Sequence, residues 1–272
     1  MSIKMIAVDM DGTFLKSDST YDKERFDKVY QEIKKRKIHF VVASGNPYKQ
    51  LQNTFSDIQD ELIYVAENGG YIVVEGNEMH LSHLEDKDAN KIIEMLKTLP
   101  DVLSWVCSKD QSYTLKSLSN HYYEMFLPYF PGVKRISDYT LIKDPIIKFA
   151  LYLPNGNVEE RIADFIHIVS QDVSVIDSGH SCVDLIPSHT NKGTAIELLM
   201  DRYGLQPDEI IAFGDAGNDE AMLKKVKYGY VMDNAKDDYK SKFDYMAPSN
   251  DEQGVLAVLE NYFVHDTFIN LK

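Results

Sequence analysis

The sequence contains little cysteine, proline or glycine: 2, 9 and 14 residues out of 272. Two thiols, Cys107 and Cys182, are too few for a disulfide scaffold or a thiolate metal cluster, so we expect buried thiols in a reducing compartment. The low proline and glycine content excludes collagen-like and low-complexity chains. Hydrophobic residues make up 44% and charged residues 26% of the chain, which predicts a globular protein with a sizeable core.

Long apolar runs are also missing. The apolar stretch near the amino terminus is interrupted by Asp9 and Asp11, and no later run approaches the roughly 18 residues of a membrane helix. We therefore expect a cytoplasmic protein with no membrane partner.

Basic residues are scarce as well, 29 against 43 acidic ones, for a net charge of −14. This excess speaks against nucleic acid as a partner, but it leaves open small anionic substrates that a metal or a local lysine neutralises.

The first 83 residues alternate between the patterns of buried strands and amphipathic helices. Apolar runs at 4–10, 38–43 and 62–66 predict strands of a parallel sheet. The charged segment 22–37 has apolar residues about every 3.6 positions, which predicts a helix between the first two strands. The same alternation returns from residue 192, so the two ends of the chain are expected to form one α/β domain.

A different pattern fills residues 84–186, where helical and strand-like stretches are mixed. Their order predicts an α+β domain of ordinary size, inserted into a core that comprises 1–83 and 187–272. The aromatic run at 121–130 fits either a wall of a ligand site or the core of a helix and turn, and the tendency of Tyr and Phe to be buried favours the core.

Polar residues follow the predicted core strands where the strands end. They are Asp9, Asp11, Ser44, Gly45, Asn46, Asp215, Asn218 and Asp219. Ligands of parallel sheets bind beyond the carboxyl ends of the strands, so these side chains are expected to share one edge. Carboxylates gathered there repel one another unless a hard cation with oxygen ligands lies among them, which indicates Mg²⁺. No zinc-site spacing, Walker A loop or G-x-G-x-x-G fingerprint is present.

Lys192 stands one residue before Gly193 at the start of a predicted helix. Its ammonium group and the free N–H groups of the helix terminus both favour a phosphate. Taken alone, Lys192 would more often be a solvated surface lysine. Combined with a hydroxyl at Ser44 and a carboxylate nucleophile among residues 9–13, it indicates phosphoryl transfer.

These residues resemble the haloacid dehalogenase-like superfamily, and within it the Cof-type sugar-phosphatase-like branch. Four motifs match in order: DMDGT at 9–13, ASGN at 43–46, NKG at 191–193 and GDAGNDEAML at 214–223. The tail NDEQGV at 250–255 is also similar to that branch, so the resemblance covers the whole chain. It implies a Rossmann-like parallel-sheet core with an inserted α+β cap that closes over the active site.

The resemblance also implies roles for individual residues. Asp9 would attack the phosphorus and form an aspartyl-phosphate, and Asp11 would protonate the leaving alcohol and then activate water. The residues implied in Mg²⁺ binding are Asp9, Asp11 through its backbone oxygen, Asp215 and, in support, Asp219. Those implied in phosphate binding are Met10, Ser44, Gly45, Lys192 and Asn218.

Two further residues bear on specificity. The family's second motif commonly ends in Arg, whereas this chain has Asn46, which cannot grip a phosphate or hydroxyl bidentately. His180 lies in a polar turn between two predicted strands of the insert, where it could face the site.

The leading hypothesis is therefore a Mg²⁺-dependent phosphatase of small phosphorylated metabolites, with sugar phosphates favoured by the resemblance alone and a monomer as the default. A phosphomutase on the same scaffold is the alternative. A phospho-aspartate signalling receiver is a weaker one, because it needs only about 120 residues and leaves the insert unexplained.

Overall fold

Two β-sheets organise the chain, whose computed structural model describes residues 2–179 and 181–267. The first five strands are β1 (Met5–Val8), β2 (His39–Ala43), β3 (Ile63–Ala66), β4 (Tyr71–Val74) and β5 (Asn77–Leu81). The next six are β6 (Leu103–Ser108), β7 (Ser112–Leu115), β8 (Lys134–Ile136), β9 (Ile146–Tyr152), β10 (Val173–Gly179) and β11 (Cys182–Pro187). The last are β12 (Ile210–Gly214), β13 (Tyr228–Met232) and β14 (Tyr245–Ala247).

The helices lie between these strands. Those of the first half are α1 (Lys23–Lys35), α2 (Tyr48–Thr54), α3 (Asp86–Lys97) and α4 (Asn120–Phe126). Those of the second half are α5 (Val158–Ile168), α6 (Lys192–Tyr203), α7 (Glu220–Lys225), α8 (Asp237–Lys240) and α9 (Gly254–His265). Within the described ranges, no helix is both long enough and apolar enough to cross a membrane.

The first sheet has the strand order β14-β13-β12-β1-β2-β3-β4-β5 within the described residues. The strands from β14 to β3 are parallel, and β4 and β5 extend the sheet as antiparallel strands. Side chains of β1 alternate between two buried clusters, with Ile6 and Val8 on one face and Met5 and Ala7 on the other. Because helices cover both faces, the central strands are apolar throughout, as the sequence predicts.

The second sheet has the order β10-β11-β9-β6-β7-β8 and is mostly antiparallel. One face packs against α3 and α5 in a cluster that includes Ile92 and Phe165. The other face carries Trp105, which packs against Phe126 and Phe130 from the aromatic run. This part of the run is thus core rather than the wall of a ligand site.

The α/β fold with a parallel-sheet core is confirmed. The chain leaves the first sheet after β5 and returns to it after β11, so the eight-stranded sheet combines both ends of the chain. The sequence pattern does not predict β7, β8 and β14, because these short strands at or near sheet edges contain few buried apolar residues. The sequence pattern predicts a helix over 194–203, and helix α6 begins two residues earlier, at Lys192.

Candidate active site

The order of the central strands brings three loops together. Strand β1 lies between β12 and β2, and all three are parallel, so their carboxyl ends meet at one edge. Asp9 follows β1, Ser44 follows β2 and Asp215 follows β12. The convergence predicted from the strand ends is therefore what the parallel pairing produces.

An acidic cluster lies at this edge, with Asp9 and Asp219 buried and Asp215 partly exposed. Carboxylate oxygens of Asp9, Asp215 and Asp219 all lie within 4.8 Å of one another. The Nζ atom of Lys192 donates hydrogen bonds to Asp9 Oδ1 at 2.5 Å and to Asp219 Oδ1 at 2.6 Å. Lys192 has no exposed surface, so it is not the solvated lysine that its residue type alone would suggest.

The first turn of α6 fixes Lys192 in this position. Asn191 caps the helix by accepting a hydrogen bond from the Thr194 N–H at 2.9 Å, while the Thr194 hydroxyl oxygen accepts one from the Asn191 N–H at 3.1 Å. This reciprocal pair satisfies backbone groups that would otherwise be free at the start of a helix. The NKG motif thus orients a lysine as well as beginning a helix.

Asp219 supports the cluster and already accepts three hydrogen bonds. Its Oδ2 atom accepts hydrogen bonds from the backbone N–H groups of Asp215 and Ala216, at 3.0 and 3.1 Å, while Oδ1 binds Lys192. Asp215 is held differently, because the Thr13 hydroxyl donates to its Oδ1 atom at 3.0 Å. The carboxylates of Asp9 and Asp215 therefore have more acceptor capacity left for a cation than Asp219 has.

Burial and mutual repulsion change the acidity of these groups. Burial raises the pKa of Asp9 well above its usual value, and the negative charge of Asp219 adds to this effect. The same two causes raise the pKa of Asp215 to about 6. Burial opposes the charge on Lys192, but Asp219 and Asp9 raise its pKa overall. The cluster thus carries more negative charge than one lysine compensates.

A divalent cation fits this donor set. The acids offer oxygen ligands, which Mg²⁺ prefers, and the single lysine leaves them incompletely neutralised. Gly12 gives the loop the close approach that such a site requires: a Cβ atom there would lie 2.6 Å from Asp215 Oδ2, and its φ of +79° favours glycine. Asn234 fixes the Gly12 carbonyl through a hydrogen bond of 2.8 Å.

The loop after β2 contains a hydroxyl and two polar groups. Ser44 is buried, and its Oγ atom accepts a hydrogen bond from the Asn46 N–H at 3.1 Å. The Asn46 side-chain amide donates to Asp11 Oδ2 at 2.6 Å. Asp11 is exposed and does not belong to the carboxylate cluster, so its side chain is held by Asn46 at the surface of the site.

The other residues singled out in the sequence occupy different positions. The Met10 side chain lies in the hydrophobic core, so only its backbone can reach the site. Asn218 lies beside the cluster, in the short helical turn Gly217–Asp219, and donates to Asn68 Oδ1 at 3.1 Å. His180 lies outside the described residues.

Four further polar residues near the site escape the sequence reasoning. They are Glu67, Asn68, Lys148 and Asp184, and all of them are buried. The sequence does contain a feature that could have identified each of them. Glu67 and Asn68 follow β3 at its carboxyl end, and Lys148 and Asp184 are charged residues within apolar strands of the second sheet.

Comparison with known proteins agrees with this geometry. The family model of the haloacid dehalogenase-like hydrolases matches residues 6–259. A 5-amino-6-(5-phospho-D-ribitylamino)uracil phosphatase of Escherichia coli is 35% identical over 267 residues, which cover 98% of each chain. A Bacillus subtilis phosphatase with the same substrate in its name is 21% identical over 268 residues, 96% of each chain.

Solved structures share the fold. A crystal structure from Streptococcus mutans superposes with a TM-score of 0.90 at 34% identity, covering 97% of this chain and 100% of its own. A haloacid dehalogenase-like hydrolase from Bacillus subtilis has a TM-score of 0.84 at 22% identity, with 95% and 99% coverage. The chain belongs to the haloacid dehalogenase-like hydrolases. Within that superfamily it is a phosphoric monoester hydrolase, with a fold of parallel-sheet core and cap.

Proposed function

We propose that this phosphatase is Mg²⁺-dependent and hydrolyses small phosphorylated metabolites through an aspartyl-phosphate on Asp9. The observation that carries the proposal is the group of Asp9, Lys192 and Asp215, which brings a buried carboxylate, a buried cation and a second, partly exposed carboxylate together at one sheet edge. Ser44 lies on the neighbouring loop, where its hydroxyl can donate to a phosphoryl oxygen.

In the first step, an Asp9 carboxylate oxygen forms a bond to phosphorus while the bond from phosphorus to the alcohol oxygen breaks. Asp11 donates its proton to that oxygen, so the product leaves as a neutral alcohol. In the second step, Asp11 takes a proton from water as the water oxygen bonds to phosphorus. The acyl phosphate bond then breaks, which regenerates the Asp9 carboxylate and releases inorganic phosphate.

The side chains proposed to bind the phosphoryl group are Ser44 and Lys192, together with Asn218 and the backbone of Met10 and Gly45. They stabilise charge on the phosphoryl oxygens as the bonds change. The residues proposed to hold Mg²⁺ are Asp9, the backbone oxygen of Asp11 and Asp215, with Asp219 anchoring their loop. The ion would supply positive charge that offsets repulsion between the carboxylates and the phosphate.

The substrate class rests on the relatives. The Escherichia coli and Bacillus subtilis phosphatases described above are both named for a phosphate ester on a ribityl chain, a sugar-like polyol attached to a uracil ring. We propose that this chain also takes a phosphate ester of a sugar or polyol. The uracil compound and simple sugar phosphates are the first substrates to compare.

We also propose that residues 84–186 form a cap, and that 1–83 and 187–272 form the catalytic core. The second sheet is built within the inserted segment, with β11 ending at Pro187, and two of its strands place charged side chains beside the catalytic loops. A cap in this position would exclude water from the site and select the leaving group. His180 stays a proposed specificity residue.

The decisive test compares Asp9→Asn with the exposed control Asp27→Asn on a panel of sugar, polyol and nucleotide phosphates. We expect Asp9→Asn to abolish phosphate release and the control to match the wild type. EDTA should abolish activity, and added Mg²⁺ should restore it. Rapid quenching should trap a chain heavier by one phosphoryl group, absent in Asp9→Asn.

Three outcomes would contradict the proposal. They are turnover by Asp9→Asn, full activity in EDTA, and transfer of the phosphoryl group to another position of the substrate without release of inorganic phosphate. The last result would identify a phosphomutase.

A further inference from the structure

The second sheet carries two buried charges that face the catalytic loops. Lys148 lies on β9 and Asp184 on β11, and their side chains are only 4% and 7% exposed. The Lys148 Nζ atom lies 3.5 Å from Asp184 Oδ2. Charged residues are rarely buried this deeply unless they are paired, so the partners of these two side chains indicate what they do.

Lys148 makes its shortest contacts with the first sheet's loops. Its Nζ atom lies 2.7 Å from Glu67 Oε2 and donates to the Gly45 carbonyl at 2.7 Å. Gly45 directly follows Ser44, the hydroxyl proposed to bind phosphate. A cation from the inserted segment therefore holds the backbone of the phosphate-binding loop.

Asp184 reaches the other catalytic loop through Asn68. The Asn68 amide donates to Asp184 Oδ2 at 3.2 Å, and its Oδ1 atom accepts from the Asn218 amide at 3.1 Å. Asn68 adopts a left-handed backbone conformation, with φ of +55°, and so does Glu67, with φ of +52°. Two consecutive residues in this region are uncommon for side chains other than glycine, so the turn is shaped to present both groups.

The approach between these groups is close. A Cβ atom at Gly45 would lie 3.1 Å from Asn68 Oδ1, so the phosphate-binding loop and the Asn68 turn pack directly against each other. Burying charges costs desolvation energy that their attraction offsets only with good geometry. A network of this kind adds little net stability, but its hydrogen bonds and ion pairs are made only when the two sheets are packed together. In this packing, Lys148 binds the Gly45 carbonyl and Asn68 binds the Asn218 amide.

We propose that Lys148, together with Asp184 and Asn68, is a positioning group for phosphoryl transfer: it sets the Ser44–Gly45 loop and Asn218 when the inserted segment is docked on the core. The inference rests on the proposed phosphate-binding role of these loops. Docking then does more than exclude water, because the phosphate site is complete only when Lys148 is in place.

The test uses variants that separate positioning from stability. Lys148→Met leaves the buried Glu67 carboxylate without its nearest cation, so it can lower stability as well as activity. The double variant Lys148→Met/Glu67→Gln removes two of the three buried charges, so it should regain part of the stability that Lys148→Met loses, while Asp184 keeps its hydrogen bond from Asn68. We expect its kcat/KM to remain reduced about 10- to 100-fold, since small displacements of catalytic loops have effects of this size.

A matched control is available in another ion pair between the same two sheets. Lys109, in the turn after β6, pairs with Glu78 of β5 at 2.7 Å, but both side chains are over a third exposed, and their ion pair involves neither Gly45, Asn68 nor Asn218. Lys109→Met should therefore leave kcat/KM unchanged. Inhibition by inorganic phosphate provides a second readout: its inhibition constant should rise in the Lys148 double variant and not in Lys109→Met. Lys148→Arg, which keeps the charge, should recover part of the activity.

Two results would overturn the inference. One is a folded Lys148→Met/Glu67→Gln variant with wild-type kcat/KM and phosphate inhibition. The other is an equal loss in Lys109→Met, which would assign the effect to sheet docking in general. Failure of the proposed function is a separate outcome, because it would be seen as Mg²⁺-independent turnover or an active Asp9→Asn in an otherwise wild-type chain.

Discussion

The Nζ atom of Lys192 lies 2.5 Å from the Oδ1 atom of Asp9, and both side chains are buried. The same ammonium group binds Asp219 at 2.6 Å, so one cation holds the proposed nucleophile and the anchor of the acidic loop together. In water such a pair would contribute little, but here burial makes each partner dependent on the other. Loss of Lys192 is therefore expected to affect both the activity and the stability of the protein.

Replacing Lys192 with Met should both inactivate and destabilise the protein. The change leaves two buried carboxylates without their cation, a situation that costs about 3–5 kcal/mol. We expect the free energy of unfolding to fall by this amount, measured by urea denaturation, and kcat to fall by at least about 100-fold. Lys225→Met removes only an exposed pair with Glu197 and serves as the control. Equal stability of the two variants would contradict the burial argument.

Asn46→Ala should affect substrates according to their leaving groups. Asn46 donates to Asp11 at 2.6 Å and thereby orients the proposed proton donor. Alkyl phosphates need that proton, whereas p-nitrophenolate leaves without it. We expect kcat to fall about 10- to 100-fold for a sugar phosphate and to change little for p-nitrophenyl phosphate.

The exposed Asn53→Ala, on helix α2, controls for the loss of a surface amide and should leave both substrates unaffected. An equal loss of kcat on both substrates in Asn46→Ala would show that Asn46 acts on phosphate binding and not on the proton donor.

Asp215 should make the stability of the metal-free protein depend on pH. Its pKa is raised to about 6 by burial and by Asp219, above the ordinary value of 3.8. A carboxyl with a raised pKa in the folded state stabilises the fold while it is protonated. This contribution is complete below about pH 4 and is lost as the pH rises through about 6.

Asp215→Asn mimics the protonated acid, so its melting temperature should exceed that of the metal-free wild type by more at pH 7 than at pH 5. Mg²⁺ should reverse the order at pH 7, because only the wild type keeps this ligand and gains stability by binding. The exposed Asp27→Asn controls for general charge effects. A difference that is the same at both pH values would contradict the raised pKa.

Gly12→Ala should disturb the metal site through the backbone. Its φ is +79°, and the added Cβ would lie 2.6 Å from Asp215 Oδ2. We expect unfolding free energy to fall by about 1–3 kcal/mol and the Mg²⁺ concentration for half-maximal activity to rise. Gly217→Ala, in the neighbouring acidic loop, would meet no atom within 4 Å and should stay within about 0.5 kcal/mol of the wild type. If both variants needed the same Mg²⁺ concentration for half-maximal activity, the close contact between Gly12 and Asp215 would not matter for metal binding.

Much of the core follows from the sequence because it depends on local pattern. Continuous apolar runs can be buried only in a sheet covered on both faces, and parallel strands bring their carboxyl ends to one edge. The positions of Asp9, Ser44 and Asp215 therefore follow once the strands are recognised. The cap of α6 is also local, since Asn191 and Thr194 cap the helix reciprocally, although the sequence pattern predicts that the helix starts at Thr194 and not at Lys192.

The tertiary structure decided which partner each of these groups has. Alternation along β9 places Lys148 on one face of its strand, but it does not say that Gly45, about 100 residues earlier, accepts its hydrogen bond. Likewise, the acidic motif supplies Asp219, whereas only the folded loop shows that its oxygens are already used by Lys192 and two backbone N–H groups. Local spacing fixes the side of an element on which a residue lies. Contacts between distant segments depend on how whole sheets pack, and this packing alone joined the inserted strands to the loop that follows β2.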